Sequence, residues 1–290
     1  MFKRQKTGSV VCASCGSLVG VNDAQCYTCG RRNPGLWGFG PLLRRLGNDF
    51  GFVTLVVYGC SALYALSLLL TVMDGQSIVG GGSVLGILAP GELATLRLGV
   101  SGPLPVFGLH MWWTILSAGW LHGSALHILF NMMAMRQIGP PAAEVYGGAR
   151  TVIIYTVASA CGFVLSSVAN QMLPSLPFIG EVSVTLGASA AICGLVGALL
   201  YYSRRSGSSM MTSQLTGYVV SIAVFGLLVR GIDNFAHAGG FAGGYVLGMW
   251  LDPLKPERVN HIAGAVACLV ATVLAIAASF IWVTTHLRVG

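Results

Sequence analysis

Ser189 lies in Gly187-Ala188-Ser189-Ala190-Ala191-Ile192-Cys193-Gly194, a single hydroxyl among small residues at the start of an apolar run. His237 lies in a second run, Asn234-Phe235-Ala236-His237-Ala238-Gly239-Gly240, and His127 and Asn131 lie in a third. A hydroxyl beside an imidazole is the minimum equipment for nucleophilic catalysis, because the ring nitrogen can take the proton as the oxygen attacks a carbonyl carbon. Two further donors could stabilise the charge that develops on the carbonyl oxygen. Taken singly, each residue has a plainer reading. A serine in an apolar helix commonly bonds back to a carbonyl of its own preceding turn, and an asparagine commonly holds two helices together. The elements that would bring the four together decide between these readings.

Those elements are membrane spans. The chain has 290 residues, of which 54% are hydrophobic and 9% charged, with a mean hydropathy of +0.75; soluble domains carry about 25% charged residues. Crossing a bilayer takes about 20 apolar residues, and runs of roughly that length fall near 51–73, 119–135, 151–172, 187–203, 215–230, 234–251 and 262–285, giving seven spans. With the N-terminus in the cytoplasm, thirteen of the sixteen Lys and Arg residues fall inside, and only Arg97, Arg230 and Arg288 outside. This positive-inside bias sets the orientation. It also assigns the net charge of +7 to topology and anionic lipid rather than to nucleic acid. No cleavable signal peptide is visible in the first 50 residues, so the first span is expected to act as its own insertion signal.

In this topology the second, fourth and sixth spans run from outside to inside, and His127, Asn131, Ser189 and His237 all fall in their outer halves. His127 and Asn131 are four residues apart and share a helix face. His237, Gly240 and Gly244 form one stripe, and a Gly-x-x-x-Gly pair lets another backbone approach closely. The small face of the fourth span, with Ser189, Cys193 and Gly197 in line, is a fitting partner. Polar groups inside a bilayer are costly and face a bundle interior, so four of them at one depth on three segments point to a site that water reaches from outside. From Leu98 to Met135 no charge occurs, and Pro103 and Pro105 break the stretch. Its first part, with Trp112, Trp113 and Trp120, is expected to lie at the outer interface.

Residues 1–32 differ in kind. Cys12-x-x-Cys15 and Cys26-x-x-Cys29 are two knuckles, each followed directly by glycine, Gly16 and Gly30. Four thiolates at this spacing suit a closed tetrahedral Zn²⁺ site, without which so short a segment would hardly fold. Two disulfides or a redox-active pair are the alternatives, and both suit a cytoplasmic address poorly. Residues 33–50 form a linker in which Trp37, Phe39, Leu42 and Leu43 beside Arg44 and Arg45 suit the head-group region; a plain tether fits equally.

These motifs together resemble the rhomboid intramembrane serine proteases. The matching pieces are His122-x4-His127-x3-Asn131-Met132, Gly187-x-Ser189 and Ala236-His237-x-x-Gly240-x-x-x-Gly244. The resemblance implies an all-α membrane protein with a six-helix transmembrane core over 51–256, an added seventh helix over 257–290, and the small zinc ribbon in front. It implies Ser189 as nucleophile, His237 as general base and acid, and the Ser189 N–H with the His127 and Asn131 side chains as oxyanion hole, with no cofactor for catalysis. His122 matches a position that supports the outer loop and Trp113 a tryptophan within it. Asp233 is not promoted to a third catalytic member; with Asn234 it is expected to cap the sixth span. The fifth span is the lateral gate of that family, and the seventh is expected to pack or anchor. The substrates implied are single-pass or other transmembrane proteins in the lipid bilayer, and the address a bacterial inner membrane with the site open to the outer face. Three positions depart from the family pattern: Ala190 where glycine is common, Cys193 where an aromatic stacks on the histidine, and Thr114 where an arginine follows the loop tryptophan. The alternatives from other classes are a catalytically silent relative that escorts membrane clients, and a transporter. The second is disfavoured by the lack of an intramembrane carboxylate or an inverted repeat.

Overall fold

The computed structural model describes residues 4–12, 15–40, 48–78, 87–173, 183–229, 231–255 and 257–287. Leu42, Leu43, Arg44 and Arg45 of the linker, Gly80, Gly82, Pro174, Pro177, Arg230 and Arg288 lie outside these residues.

Among the described residues seven long helices carry the membrane part: α1 (Phe52–Met73), α4 (Ala125–Tyr146), α5 (Gly148–Met172), α6 (Ser189–Ser206), α7 (Ser209–Leu228), α8 (Asn234–Trp250) and α9 (Val259–His286), with α2 (Glu92–Leu98) and the single turn α3 (Thr114–Ser117) between α1 and α4. Four of them, α1, α5, α7 and α9, are long and apolar enough to cross a membrane by length and composition. The other three hold the polar residues singled out above.

The second span differs from its expected bounds of 119–135. Residues 119–124 are not part of the long helix, which begins after Ser124, whose hydroxyl accepts the His127 N–H at 3.3 Å, and continues through Pro140 and Pro141 to Tyr146. Hydropathy alone ends the span at Arg136. The two prolines forgo backbone donors but do not stop the helix, since packing carries it through the lost turn.

At the centre stands α6, in which every residue from Ala190 to Leu200 is buried. Its neighbour α8 lies against it backbone to backbone. A methyl placed on Gly244 would collide with the Gly194 carbonyl, one on Gly240 with the Ala190 carbonyl and one on Gly197 with the Phe241 carbonyl. Such seams are how helices associate in lipid, where no hydrophobic force acts between them and contact at short range must serve instead. At the other end of the pair the Tyr146 hydroxyl donates to the Ala198 carbonyl at 2.8 Å. The apolar core continues from α6 through Leu195, Leu199 and Met135 to Tyr155, on whose ring Phe52 and Trp120 pack edge-on with centroids 5.3 and 6.0 Å away.

The helix α9 buries only Ala265, Thr272, Ala275, Ser279 and Val283, all on one stripe, against α5, α2 and α3. Its start is tied down by Arg150 of α5, which is buried and donates from Nε to His261 Nδ1 at 3.1 Å and from its two terminal nitrogens to the carbonyls of Asp252 (3.1 Å) and Lys255 (2.8 Å). Glu257 accepts the Arg150 backbone N–H at 3.0 Å, and burial pushes its carboxyl above the usual range.

The N-terminal segment is a small antiparallel hairpin, β1 (Ser9–Val11) and β2 (Leu18–Gly20), with Val10 opposite Val19. Its core is Val10, Val19, Val21, Cys12 and Cys26.

Candidate active site

Ser189 is the first residue of α6, and His237 stands in the first turn of α8. Because the glycine seam brings those two helix starts together, the His237 Nε2 atom lies 2.8 Å from the Ser189 hydroxyl oxygen. As the first residue of a helix, Ser189 has a backbone N–H without an intrahelical acceptor, aimed out of the helix start together with the positive end of its dipole. The segment leading in is backed by Gly187, whose φ of +129° is a conformation that suits glycine alone.

His127 stands on α4 across from this turn. Its Nδ1 accepts the Gly123 N–H at 3.3 Å, which leaves the ring proton on Nε2 in the neutral tautomer. That nitrogen faces Gly187: a methyl there would lie 2.6 Å from it and 3.8 Å from the Ser189 Oγ. A donor is therefore presented to the turn that carries the serine. Asn131, one turn further along α4, donates from Nδ2 to the His127 carbonyl at 2.9 Å. It follows the plain intrahelical pattern with one amide hydrogen and has the second in reserve.

All four residues line one cavity of about 480 Å³, whose remaining wall is mostly apolar, with Phe130, Phe163, Ile192, Tyr218, Ile222 and Phe225, and also carries Ser124, Thr185 and Asp233. Phe130 belongs to α4 and Tyr218, Ile222 and Phe225 to α7, so these two helices border the cavity together with α6, α8 and Phe163 of α5. The membrane-crossing stretch of α7 is only 11% buried, the least of the four apolar helices. Cys193, one turn below Ser189, lines this cavity and a second, almost wholly apolar one of about 400 Å³ that His237 shares with Val219, Leu227 and Phe241.

Asp233 does not reach His237 by a hydrogen bond. Its Oδ1 accepts the Ala236 N–H at 2.9 Å, capping α8, and its Oδ2 accepts the Ser166 hydroxyl of α5. Asn234 turns the other way and donates to the Gly226 carbonyl of α7 at 2.9 Å. The His237 Nδ1 atom has no hydrogen-bond partner among the described residues. His122 is buried and stacks edge-on against His127 with ring centroids 5.1 Å apart. Trp113 donates from Nε1 to Ser279 of α9 at 3.0 Å, while the Thr114 hydroxyl is spent inside the loop on the Met111 carbonyl at 2.8 Å. Sequence reasoning missed Gly123 as the residue that sets the His127 tautomer, Ser166 as the partner of Asp233, and Ser279. None carries a signal of its own, since each is an ordinary small residue whose role depends on what faces it.

In the hairpin segment the four sulfurs of Cys12, Cys15, Cys26 and Cys29 all lie within 4.8 Å of one another. The Cys12–Cys29 and Cys15–Cys26 sulfurs are 3.8 and 3.6 Å apart, far beyond a disulfide bond of about 2.05 Å. A tetrahedral zinc with bonds of about 2.3 Å separates its sulfurs by roughly 3.8 Å, so the donor set fits that ion. The two knuckle glycines have φ of 77° and 71°, and their amides bond back to the Cys12 and Cys26 carbonyls at 3.1 and 2.9 Å. A hydrogen bond to Ser17 draws the Cys15 thiol down to about 6, whereas burial pushes Cys29 up to about 12.

The sequence matches the Rhomboid domain family model over residues 109–253, half of the chain. It is 33% identical over 150 residues to RHOMBOID-like protein 7 of Arabidopsis thaliana, covering 48% of this chain and 42% of the relative. It is 32% identical over 137 residues to Rhomboid protease GluP of Bacillus subtilis, covering 46% of this chain and 25% of the relative. RHOMBOID-like protein 6, mitochondrial, of Arabidopsis thaliana is 31% identical over 145 residues, or 48% and 43% of the two chains. The matched part thus spans less than half the length of these relatives.

Proposed function

Because this chain belongs to the rhomboid family, we propose that it is an intramembrane serine endopeptidase acting on transmembrane segments of other membrane proteins. The observation that carries this reading is the 2.8 Å contact between His237 Nε2 and Ser189 Oγ at the floor of a cavity that also presents His127 and Asn131.

In this reading the substrate helix enters between α4 and α7, the helix least covered by protein, and unwinds over the cavity. The Ser189 oxygen attacks the scissile carbonyl carbon while its proton passes to His237 Nε2. The carbonyl oxygen becomes an oxyanion that accepts hydrogen bonds from the Ser189 N–H, His127 Nε2 and Asn131 Nδ2, the last by its second amide hydrogen. The imidazolium gives its proton to the leaving amine, and the C–N bond breaks to leave an acyl-serine. A water then gives its proton to His237 and attacks the ester, and His237 returns the proton to Ser189. Asp233, held by the α8 start and Ser166, takes no part in proton transfer, so the unit is a dyad. No cofactor enters these steps.

The same proposal divides the chain into a ribbon (1–32), a linker (33–50), the protease core (51–256) and the added helix (257–290). Cys12, Cys15, Cys26 and Cys29 would hold a structural zinc that cross-links the ribbon. The excess of Lys and Arg on one side supports a cytoplasmic ribbon and a site open to the opposite face of the membrane, which this reading takes to be a bacterial inner membrane.

Labelling of purified protein by a fluorophosphonate serine-hydrolase probe tests the assignment. Wild type is expected to label and Ser189→Ala and His237→Ala are expected not to, in step with loss of cleavage of a single-pass substrate in proteoliposomes. Equal labelling of wild type and Ser189→Ala would overturn it.

A further inference from the structure

The seventh helix is joined to the site by a chain of hydrogen bonds that runs through the loop between α2 and α4. Ser279 is wholly buried on α9. Its hydroxyl donates to the Ala275 carbonyl at 2.9 Å, which leaves its oxygen free to accept the Trp113 Nε1–H at 3.0 Å. The loop backbone folds directly over this hydroxyl. A methyl on Gly99, whose φ is +95°, would lie 2.7 Å from the Ser279 oxygen, and the Gly99 carbonyl accepts the Ser117 hydroxyl at 2.7 Å.

Two residues on from Gly99, Ser101 exchanges backbone hydrogen bonds with Thr185, 3.0 Å one way and 2.7 Å the other. Next to Ser117, the Ala118 carbonyl accepts the Gly187 N–H at 3.0 Å. Thr185 and Gly187 are the residues that lead into Ser189. The loop is thus held on one side by α9 and holds on its other side the segment that leads into Ser189. Its far end is fixed separately, where the Tyr155 hydroxyl of α5 donates to the Gly119 carbonyl at 3.3 Å. Thr114 stays within the loop, bonding Met111 and the Ser101 hydroxyl at 2.8 and 3.3 Å, so it gives no tie to a neighbouring helix.

We propose that Ser279, through Trp113 and the loop, is a positioning residue for Ser189, which makes α9 part of the proteolytic apparatus and not merely an extra anchor. The proposal rests on the reading of Ser189 as nucleophile. Because α9 packs against α5, α2 and α3 and contributes no described residue to the cavity lining, loosening the clasp should leave substrate binding alone and disturb the geometry of attack. One neutral hydrogen bond corresponds to roughly a fivefold effect.

The test uses the full-length protein with Ser279→Ala, Trp113→Phe and the double variant, and takes two readouts. In steady-state cleavage each single variant is expected to lower kcat about fivefold at unchanged KM, and the double variant to be no slower than either single. Ser279→Thr, which keeps the acceptor, is expected to keep the wild-type kcat. In amide hydrogen exchange, Ser279→Ala is expected to speed exchange of the segment 183–188 by a similar factor while α6 itself stays protected. Unchanged exchange at 183–188, or single effects that multiply in the double variant, would overturn the clasp. A wild-type protein that does not cleave at all would defeat the nucleophile assignment instead, and the exchange readout would still decide whether Ser279 orders the segment.

Discussion

Substituting Gly187 by alanine puts the site under a defined load. The added methyl would lie 2.6 Å from His127 Nε2 and 2.8 Å from its Cε1, where ordinary contact begins at 3.4 Å. The imidazole must therefore retreat by roughly 0.8 Å, because the methyl is fixed by a turn tied to Ala118 through the 3.0 Å bond of the Gly187 amide. A misplacement of about 1 Å costs on the order of 10²-fold in rate, or about 2.7 kcal/mol of transition-state stabilisation. Deleting an oxyanion donor outright costs roughly 10²–10³-fold. Gly187→Ala is thus expected to lower kcat about 10²-fold with little change in KM, measured by cleavage of a single-pass substrate in proteoliposomes. The strained backbone adds a separate loss of about 1–3 kcal/mol in stability, seen in thermal unfolding. The decisive comparison is the double variant with His127→Ala. If the methyl acts by displacing the His127 donor, the double variant is no slower than His127→Ala alone. Fully multiplicative losses, or a Gly187→Ala enzyme of near wild-type rate, would refute the reasoning.

Other outcomes follow from the same geometry. Gly244→Ala drives a methyl into the Gly194 carbonyl, and by prying α8 from α6 it should abolish cleavage and lower the unfolding temperature together; retained activity would count against the seam as the support of His237. Asp233→Asn keeps a capping oxygen for the Ala236 amide, so kcat should stay within a few-fold of wild type, whereas a drop near 10⁴-fold, the size seen when a triad aspartate is lost, would make Asp233 a third member. Tyr146→Phe deletes the 2.8 Å bond to the Ala198 carbonyl and should cost about 1 kcal/mol of stability with the rate per folded molecule unchanged. Metal analysis should find one zinc per wild-type chain and none after Cys12→Ser; a disulfide recovered from the wild type would contradict it.

What could be read beforehand was whatever repeats with a period. The small stripe His237, Gly240, Gly244 and its counterpart with Ser189 and Cys193 are written at helical spacing, and the two helices do meet backbone to backbone. The four cysteines could be paired with a metal because their knuckles are local. The helix of the second span outruns the apolar stretch, because hydropathy stops at Arg136 while the helix runs on to Tyr146 by packing that no single-chain average contains. The short helix Glu92–Leu98 also went unread, being too brief to show a face. Ser279 was illegible for a different reason. One serine in an apolar helix looks like any other until Trp113, 166 positions away in the chain, is found against it. The same holds for Ser166 and Gly123, whose meaning is set wholly by their partners.

The seam between α6 and α8 has a mechanical consequence. A distance held by side chains can drift as those chains change rotamer, but here carbonyls and Cα atoms of two helices are already in contact, and a close-packed junction of that kind is hardly compressible. A bilayer that thickens or thins is met in part by tilting whole helices. The load then falls on α1, α7 and α9, whose apolar stretches are 22%, 11% and 22% buried and so are open over most of their surface, whereas α6 and α8 turn as one rigid strut. The spacing of Ser189 and His237 is thereby insulated from the thickness of the membrane around them, while the width of the opening beside α7 is not.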